Sequence, residues 1–186
     1  YSINPKWSIG VFGKVYTSTY LNIHRATNLQ PAIEYNIFPW DKSDNKVFTF
    51  AYHLKANYFK YDEITIYDKY EEWLTAEALR VSLILRQPWG TIESDLEASH
   101  YFHDFSKNKL SFDTDISVRV ARGLSFFVQL EADLIHDQLY LPAGEISRDD
   151  VLLQQRKLAS NFEQSWEVGI RYTFGTNYNN IVNQRL

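Results

Sequence analysis

The amino-acid sequence predicts an all-β fold, an antiparallel up-and-down transmembrane β-barrel with about eight strands in this chain. Three observations predict it. Apolar and polar residues alternate in one segment after another, shorter and longer connections take turns along the chain, and aromatic residues gather near the segment ends. Alternation at a period of two places one kind of side chain on each face of a strand. Which face points inward then decides between a membrane barrel and a soluble one.

Eight segments carry the alternation. In the clearest of them Phe126, Val128 and Leu130 alternate with Gln129 and Glu131. Most segments are also rich in β-branched and aromatic residues, which favour strands. The predicted strands are residues 7–16, 33–37, 48–58, 79–86, 92–98, 110–120, 124–134 and 162–174.

The connections between the predicted strands divide into two kinds. Compact turns follow strands two, four and six, and longer loops follow strands one, three, five and seven. Short connections on one rim and long ones on the other are typical of outer-membrane barrels. The compact turns are residues 39–45, 87–90 and 122–123, and the longer loops are residues 20–29, 62–72, 103–109 and 136–161.

The last predicted loop also contains a helix signal. Ser147 is followed three residues later by Asp150, which resembles a capping box, so we expect a short helix within this extracellular loop. The predicted organisation is a barrel of strands and loops over residues 1–175 and a C-terminal tail over residues 176–186.

Composition limits the classes of protein. The 186 residues suit one domain, and the scattered basic residues, within a formal charge of -4, form no stripe that would follow a nucleic-acid backbone. We therefore expect no nucleic-acid partner. The absence of cysteine excludes disulfides, thiolate catalysis and cysteine-bound metal. No run of about eighteen apolar residues is present, which excludes a transmembrane helix but leaves amphipathic membrane strands open.

Two barrels can be built from the same alternation. In a soluble lipocalin-like barrel the apolar face points inward around a ligand, whereas in a membrane barrel it points outward into lipid. Aromatic residues near the strand ends favour the membrane, because interfacial girdles form there. Acids and bases mixed on the polar faces also favour it, because opposite charges can pair inside a narrow lumen. The aromatic residues concerned are Trp7, Trp73, Phe102, Phe162, Tyr172 and Phe174.

The final predicted strand ends in a recognisable pattern. Glu167, Gly169, Tyr172 and Phe174 form a sequence of polar, glycine and two aromatic positions. This pattern resembles the C-terminal signal that the barrel-insertion machinery of Gram-negative bacteria reads on its substrates, so we expect that machinery to be a partner during biogenesis. The usual signal ends the chain. Here the tail of residues 176–186 follows it, and this tail is expected to hang in the periplasm, plug the lumen or dock on a partner.

Four stretches carry a family resemblance. They are "PAIEYNIFPW" (31–40), "LRQPWGTIESDLEASHYFHDFSKN" (85–108), "ARGLSFFVQLEADLIHDQLYLPAGEISRDDVLLQQRKLAS" (121–160) and "VGIRYTFGTNYNNIVNQRL" (168–186). These stretches resemble an uncharacterised family of outer-membrane β-barrel proteins of Bacteroidota and related Gram-negative bacteria. The resemblance implies a barrel in the bacterial outer membrane, and it implies no particular activity. Members of that family carry further strands upstream, so the resemblance also leaves open that this chain is the C-terminal part of a barrel of about twelve strands.

The stretch "SHYFHDFS" (99–106) holds the residues of a candidate hydrolase site. Ser99, His103 and Asp104 could act as nucleophile, base and orienting acid if they converge in space. Ser99 and His103 lie four residues apart, roughly 13 Å along a strand, so partners would have to come from other strands. His100 and His103 point to opposite faces of a strand, which argues against a metal site. The remaining histidines are His24, His53 and His136.

Carboxylates on predicted strands five and six form a second candidate, an acid–base pair. We expect them instead to be structural and to pair with Arg80, Arg86 and Arg119 across the lumen. The carboxylates are Glu93, Asp95, Glu97, Asp113 and Asp115. We therefore predict no catalytic residue, no metal site and no cofactor.

The sequence thus predicts an integral outer-membrane protein that serves as a structural or interaction module of the cell envelope. Its surroundings are the lipid bilayer, and the loop of residues 136–161 is the expected contact surface for a protein partner, because binding residues collect on loops held by a rigid framework. Three alternatives stay open: a narrow pore within a larger barrel, an outer-membrane lipid hydrolase, and a soluble lipocalin-like binding barrel.

Overall fold

A computed structural model describes residues 1–39, 42–143 and 161–174. These residues form one antiparallel sheet of eight strands in chain order, so the predicted all-β, up-and-down arrangement is confirmed. The strands are β1 (Trp7–Ser18), β2 (Ile23–Asn36), β3 (Lys46–Tyr61), β4 (Glu71–Gln87), β5 (Gly90–Tyr101), β6 (Asp104–Ala121), β7 (Leu124–Ile135) and β8 (Phe162–Tyr172). β1 and β8 do not pair with each other among the described residues, so the sheet is open there and barrel closure stays a prediction.

The second strand is longer than the sequence predicted. β2 begins at Ile23 instead of residue 33, so the predicted long loop over residues 20–29 is wrong. The real connection between β1 and β2 is a 3₁₀ turn, Thr19–Leu21, that ends at Asn22 in the left-handed conformation with a φ of 54°. The first part of β2 was not predicted as strand because it contains Pro31, and proline lacks the N–H group that a central strand donates. The ladder with β3 accommodates it by passing over Gln30 and Pro31.

The connection between β5 and β6 is also shorter than predicted. Strand β6 begins at Asp104, so the predicted long loop over residues 103–109 is wrong, and Phe102 and His103 alone join the two strands. The polar residues that indicated a loop lie in an irregular part of the ladder, where the register shifts between His100 and Tyr101. The predicted sorting of all long loops onto one rim therefore fails at this position.

Other connections match their predictions more closely. Two-residue turns at residues 88–89 and 122–123 join β4 to β5 and β6 to β7, and residues 62–70 form a longer loop after β3. The predicted helix near Ser147 and the tail of residues 176–186 lie outside the described residues.

The two faces of the sheet differ sharply in chemistry. Cross-strand pairing places one apolar row and one polar row side by side across all eight strands. The apolar row is Ile9, Ile33, Tyr52, Leu79, Ala98, Leu110, Leu134 and Phe162. The polar row is Ser8, Glu34, Ala51, Arg80, Glu97, Ser111, Asp133 and Glu163.

The polar face is the concave one. The Lys55 Nζ atom on β3 reaches across β4 to the Glu97 Oε1 atom on β5, 2.7 Å away. Lys14 of β1, Tyr101 of β5 and Asp137 after β7 line one shared cavity, so the sheet curls around this face. Residues buried within the strands lie on it, namely Ala26, Asn36, Thr49, Ala51, His53, Asn57, Leu74, Ala76 and Ala78. The large apolar side chains of the opposite face are mostly exposed.

Candidate functional site

The residues of the candidate hydrolase site do not converge. Ser99 lies on the polar face of β5, opposite Ala78 and Lys109. His103 is in the exposed turn after β5, where its ring stands 5.6 Å from the Tyr101 ring. Asp104 accepts hydrogen bonds from the backbone and hydroxyl of Ser106, at 2.9 and 2.7 Å. These are local turn contacts. Ser99, His103 and Asp104 therefore do not form a hydrogen-bonded nucleophile, base and acid.

The two neighbouring histidines also stay apart. His100 lies on the apolar face, and its Nε2 atom is 2.9 Å from the Glu77 Oε1 atom on β4. Glu77 also accepts a hydrogen bond from the Tyr52 hydroxyl. No group of three or more histidines, cysteines or acids suited to a metal ion occurs in the part of the chain that the structure describes. His100 therefore belongs to a small polar cluster on the outward surface.

Ion pairs account for part of the carboxylate cluster. Arg80 Nε lies 2.8 Å from Asp95 Oδ1, and Arg86 Nη2 lies 3.0 Å from Glu93 Oε1. Both pairs join the neighbouring strands β4 and β5, whereas the prediction had them reach across the interior of a barrel. The predicted partnership of Arg119 is wrong, because it lies opposite Ser125 at the far end of β6.

The charges of β6 and β7 are balanced differently. Asp115 accepts a hydrogen bond from the amide of Gln129 at 2.6 Å, and Lys109 Nζ lies 3.3 Å from Asp133 Oδ2. Asp113 stands directly opposite Glu131. Like charges directly across a ladder repel each other, so this part of the polar face carries an excess of negative charge.

A strap of residues 136–143 leaves β7 and runs to the far side of the concave face. The carbonyl of Leu141 accepts a hydrogen bond from the Ile66 amide at 2.8 Å, and the Ala143 amide donates to the Ile64 carbonyl at 2.7 Å. The side-chain amide of Asn22 donates to the Tyr140 carbonyl at 3.1 Å. The strap therefore ties β7 to the turns that follow β1 and β3.

The strap also packs against a buried apolar cluster. Ile23, Ala26 and Tyr61 form the centre of this cluster, and Tyr140 of the strap packs against them. Burial raises the pKa of the Tyr140 hydroxyl to about 12. That hydroxyl is therefore neutral at physiological pH, so Tyr140 adds no charge to the cluster.

Asp137 of the strap gives a pH-dependent prediction. Burial raises the pKa of its carboxyl, against the opposing effect of nearby Lys109. The folded protein then binds this proton more tightly than the unfolded chain, so the contribution of Asp137 to stability is greatest below about pH 3.9 and is lost as pH rises through the higher folded pKa.

Replacing Asp137 by asparagine is therefore expected to stabilise the protein at pH 7 and to change little near pH 4. Urea unfolding at the two pH values, on the wild type and on Asp137→Asn, measures the difference. An equal or smaller gain at pH 7 than at pH 4 would show that burial does not disfavour the charged carboxylate.

A groove of about 560 Å³ lies on the polar face over β1 to β4, and we call it the β1–β4 groove. Small residues, Gly10, Ala32 and Ala51, leave a depression between longer neighbours. The polar and aromatic residues lining it are Tyr1, Ser2, Ser8, Phe12, Glu34, His53, Arg80 and Ser82, and Ile9 and Val11 of β1 also contribute. The sequence did not predict this groove, because its lining comes from four strands. The alternation of residues shows which face a side chain is on, but it does not give the register between strands.

Two residues of the β1–β4 groove have unusual surroundings. His53 is only 8% exposed, its Nδ1 atom lies 2.6 Å from the Gln30 amide nitrogen, and its Nε2 atom has no hydrogen-bond partner among the described residues. Phe12 is 56% exposed although it lies on the polar face. Its ring lies over Gly10, where an added Cβ would be 3.4 Å from two ring carbons.

Gly169 has a structural role beside its predicted place in the C-terminal signal. It lies opposite Phe127 of β7, and the Phe127 ring covers it so closely that an added Cβ would be 2.5 Å from two ring carbons. The Arg171 guanidinium carbon stands 5.3 Å from the centre of the same ring. Aromatic residues commonly cover strand glycines in this way. The glycine of the pattern is thus explained by packing alone, whether or not the insertion machinery reads it.

No helix in the described residues combines the length and the apolar character needed to cross a lipid bilayer. Comparison of the chain with protein families, with curated proteins and with solved structures finds no match in any of the three.

Proposed function

We propose that this chain forms the wall of an outer-membrane β-barrel in a Gram-negative bacterium, as a structural or interaction module without catalysis. One observation carries the proposal: an apolar face, interrupted by the pair of Glu77 and His100, runs across all eight strands on the convex side, and many of its large side chains are exposed. A protein that exposes so much contiguous apolar surface needs an apolar surrounding. Hydrocarbon supplies it, and outer-membrane strands alternate in this sense, with apolar side chains out and polar side chains in.

The outward side chains support a lipid contact in particular. Trp166 and Ile170 of β8 are 71% and 73% exposed, and Val11 of β1 is 69% exposed. Strands of 11 to 18 residues are as long as, or longer than, the roughly 9 to 11 residues that a tilted membrane strand requires. The rim beside the strap carries exposed Tyr20, Tyr67 and Tyr70, which suits the headgroup region where aromatic girdles form.

The inward face supports the same proposal. Lys55, Glu97, Arg80 and Asp95 form ion pairs on the concave side, where partly buried charges require partners. A lipocalin-like barrel would need the reverse arrangement, with the apolar face inside. A hydrolase would need its nucleophile and base in contact, whereas Ser99 lies on the polar face within β5 and His103 lies in the exposed turn after β5, with its ring beside that of Tyr101.

Flotation with lipid vesicles tests the proposal. The refolded chain is expected to need detergent for solubility, to float with phosphatidylcholine vesicles in a density gradient, and to stay with them after an alkaline carbonate wash. Insertion buries the apolar face in hydrocarbon, whereas peripheral binding would be reversed by the wash. A compact monomer that stays in solution without detergent and sediments free of vesicles would overturn the proposal.

A further inference from the structure

We propose that the β1–β4 groove binds a neutral saccharide. The first argument is the unsatisfied imidazole in its wall. The Gln30 amide nitrogen donates to His53 Nδ1, so the neutral ring carries its proton on Nε2. That N–H group has no acceptor among the described residues, and leaving a buried donor unpaired is unfavourable. The atom is closed to solvent, so a ligand oxygen in the groove would satisfy it once a neighbouring side chain moves aside.

The second argument is the exposed aromatic ring. Phe12 is 56% exposed among the small and polar residues of the groove, and its ring is held over Gly10 next to His53, with the two ring centres 6.2 Å apart. The face of an aromatic ring is electron-rich and attracts the slightly positive C–H groups of a sugar ring. An aromatic surface beside hydrogen-bonding groups therefore suits a ligand that is apolar on its faces and polar at its edges.

The third argument is the balance of donors and acceptors. Glu34 offers acceptor oxygens, accepts one hydrogen bond from the Ser8 hydroxyl at 3.2 Å, and has no ion pair among the described residues. Arg80 is already paired with Asp95 at 2.8 Å. A hydroxyl group both donates and accepts, so one ligand with several hydroxyls can serve Glu34 and His53 together.

Charged ligands fit less well. An ammonium group is attracted to Glu34 but offers no acceptor to the His53 N–H group, and a carboxylate would be repelled by Glu34. The groove also runs some distance, since Ser8 and Phe12 lie four residues apart on β1, roughly 13 Å along a strand. This length suits a ligand of more than one sugar ring.

The inference does not rest on the proposed membrane location. The groove lies along the edge strand β1 and needs no bilayer to form, so a chain that binds sugar but fails to enter vesicles would keep this inference and lose the proposed function. A chain that enters vesicles without binding sugar would do the opposite.

Saturation-transfer NMR on the refolded full chain in detergent tests the inference with maltose, lactose and cellobiose as probes. Saturable binding of at least one of them is expected, with signal transferred to the ring C–H protons. Choline and acetate serve as charged controls. No saturable binding of any of the three sugars, or binding of choline or acetate alone, would overturn the inference.

Matched variants locate the binding. Phe12→Ala is expected to weaken sugar affinity by about tenfold, since aromatic contacts contribute up to about 1.5 kcal/mol beyond burial. Phe127→Ala removes another aromatic ring from the polar face, outside the groove, and is expected to leave affinity unchanged. Equal affinities of the wild type and Phe12→Ala would contradict the inference.

A second measurement covers the case in which Phe12→Ala fails to fold. The ¹⁵N resonance of His53 Nε2 in the wild type is expected to shift when the sugar binds, because the N–H group gains an acceptor. A histidine resonance that stays unchanged at saturating sugar would overturn the inference independently of any variant.

Discussion

Replacing Leu130 by arginine is expected to abolish stable insertion or to lower the free energy of unfolding by about 2–4 kcal/mol, the cost of an arginine on the lipid face near the bilayer midplane. Leu130 lies near the middle of β7, on the apolar face, opposite Thr114 and Trp166. Its side chain points to the surface that we assign to hydrocarbon. Urea unfolding of the chain in lipid vesicles measures the loss.

Gln129→Arg is the matched control. Gln129 is the preceding residue, points to the polar face and donates a hydrogen bond to Asp115. An arginine there keeps a donor and places a positive charge beside a carboxylate, so stability is expected to change little or to rise. If Gln129→Arg were the more damaging of the two variants, the assignment of the two faces would be reversed.

Replacing Gly169 by alanine is expected to destabilise the folded protein by about 0.5–1 kcal/mol, because the Phe127 ring has to shift and lose its cation–π contact with Arg171. The added methyl group would lie 2.5 Å from carbons of the Phe127 ring, so the ring has to leave its position over the strand and its contact with Arg171. Unfolding of the purified variant, refolded without any insertion machinery, measures this effect.

A double variant separates packing from signalling. Phe127→Ala removes the ring that Gly169 accommodates, so Gly169→Ala is expected to cost much less in that background, and the coupling energy of the cycle reports the contact directly. A Gly169→Ala variant that unfolds like the wild type in vitro but accumulates poorly in the outer membrane would show instead that the glycine matters as a signal.

Much of the fold could be predicted from local pattern, because alternation is a property of neighbouring residues. It predicted eight strands and their antiparallel order, and β7 matches its prediction within one residue. The errors arose where local chemistry disagreed with pairing. Pro31 and the polar run after Asp104 are typical of loops. Pro31 nevertheless pairs with Val11 of β1, and the polar run lies between two paired positions, Asp104 and Asn108, as an irregularity within β6.

The surfaces with chemical interest could be predicted less well, because they depend on register between distant strands. Nothing local indicates that Glu34, His53 and Arg80 line one groove, or that Lys55 meets Glu97 across β4. One signal was present in the sequence: Phe12 is an aromatic residue at a position where the alternation requires the polar face. His100 and His103 are close to Ser99 in sequence, but closeness in sequence did not predict a shared site.

The outward orientation of the apolar face is the central claim, and site-directed spin labelling of β7 tests it most directly. The chain has no cysteine, so single cysteines at residues 126 to 132 can be labelled without a background signal. In lipid vesicles the account predicts that labels at 126, 128, 130 and 132 collide mainly with oxygen dissolved in the bilayer, and that labels at 127, 129 and 131 collide mainly with a water-soluble nickel chelate. The opposite alternation, or equal access to the nickel chelate at every position, would contradict it.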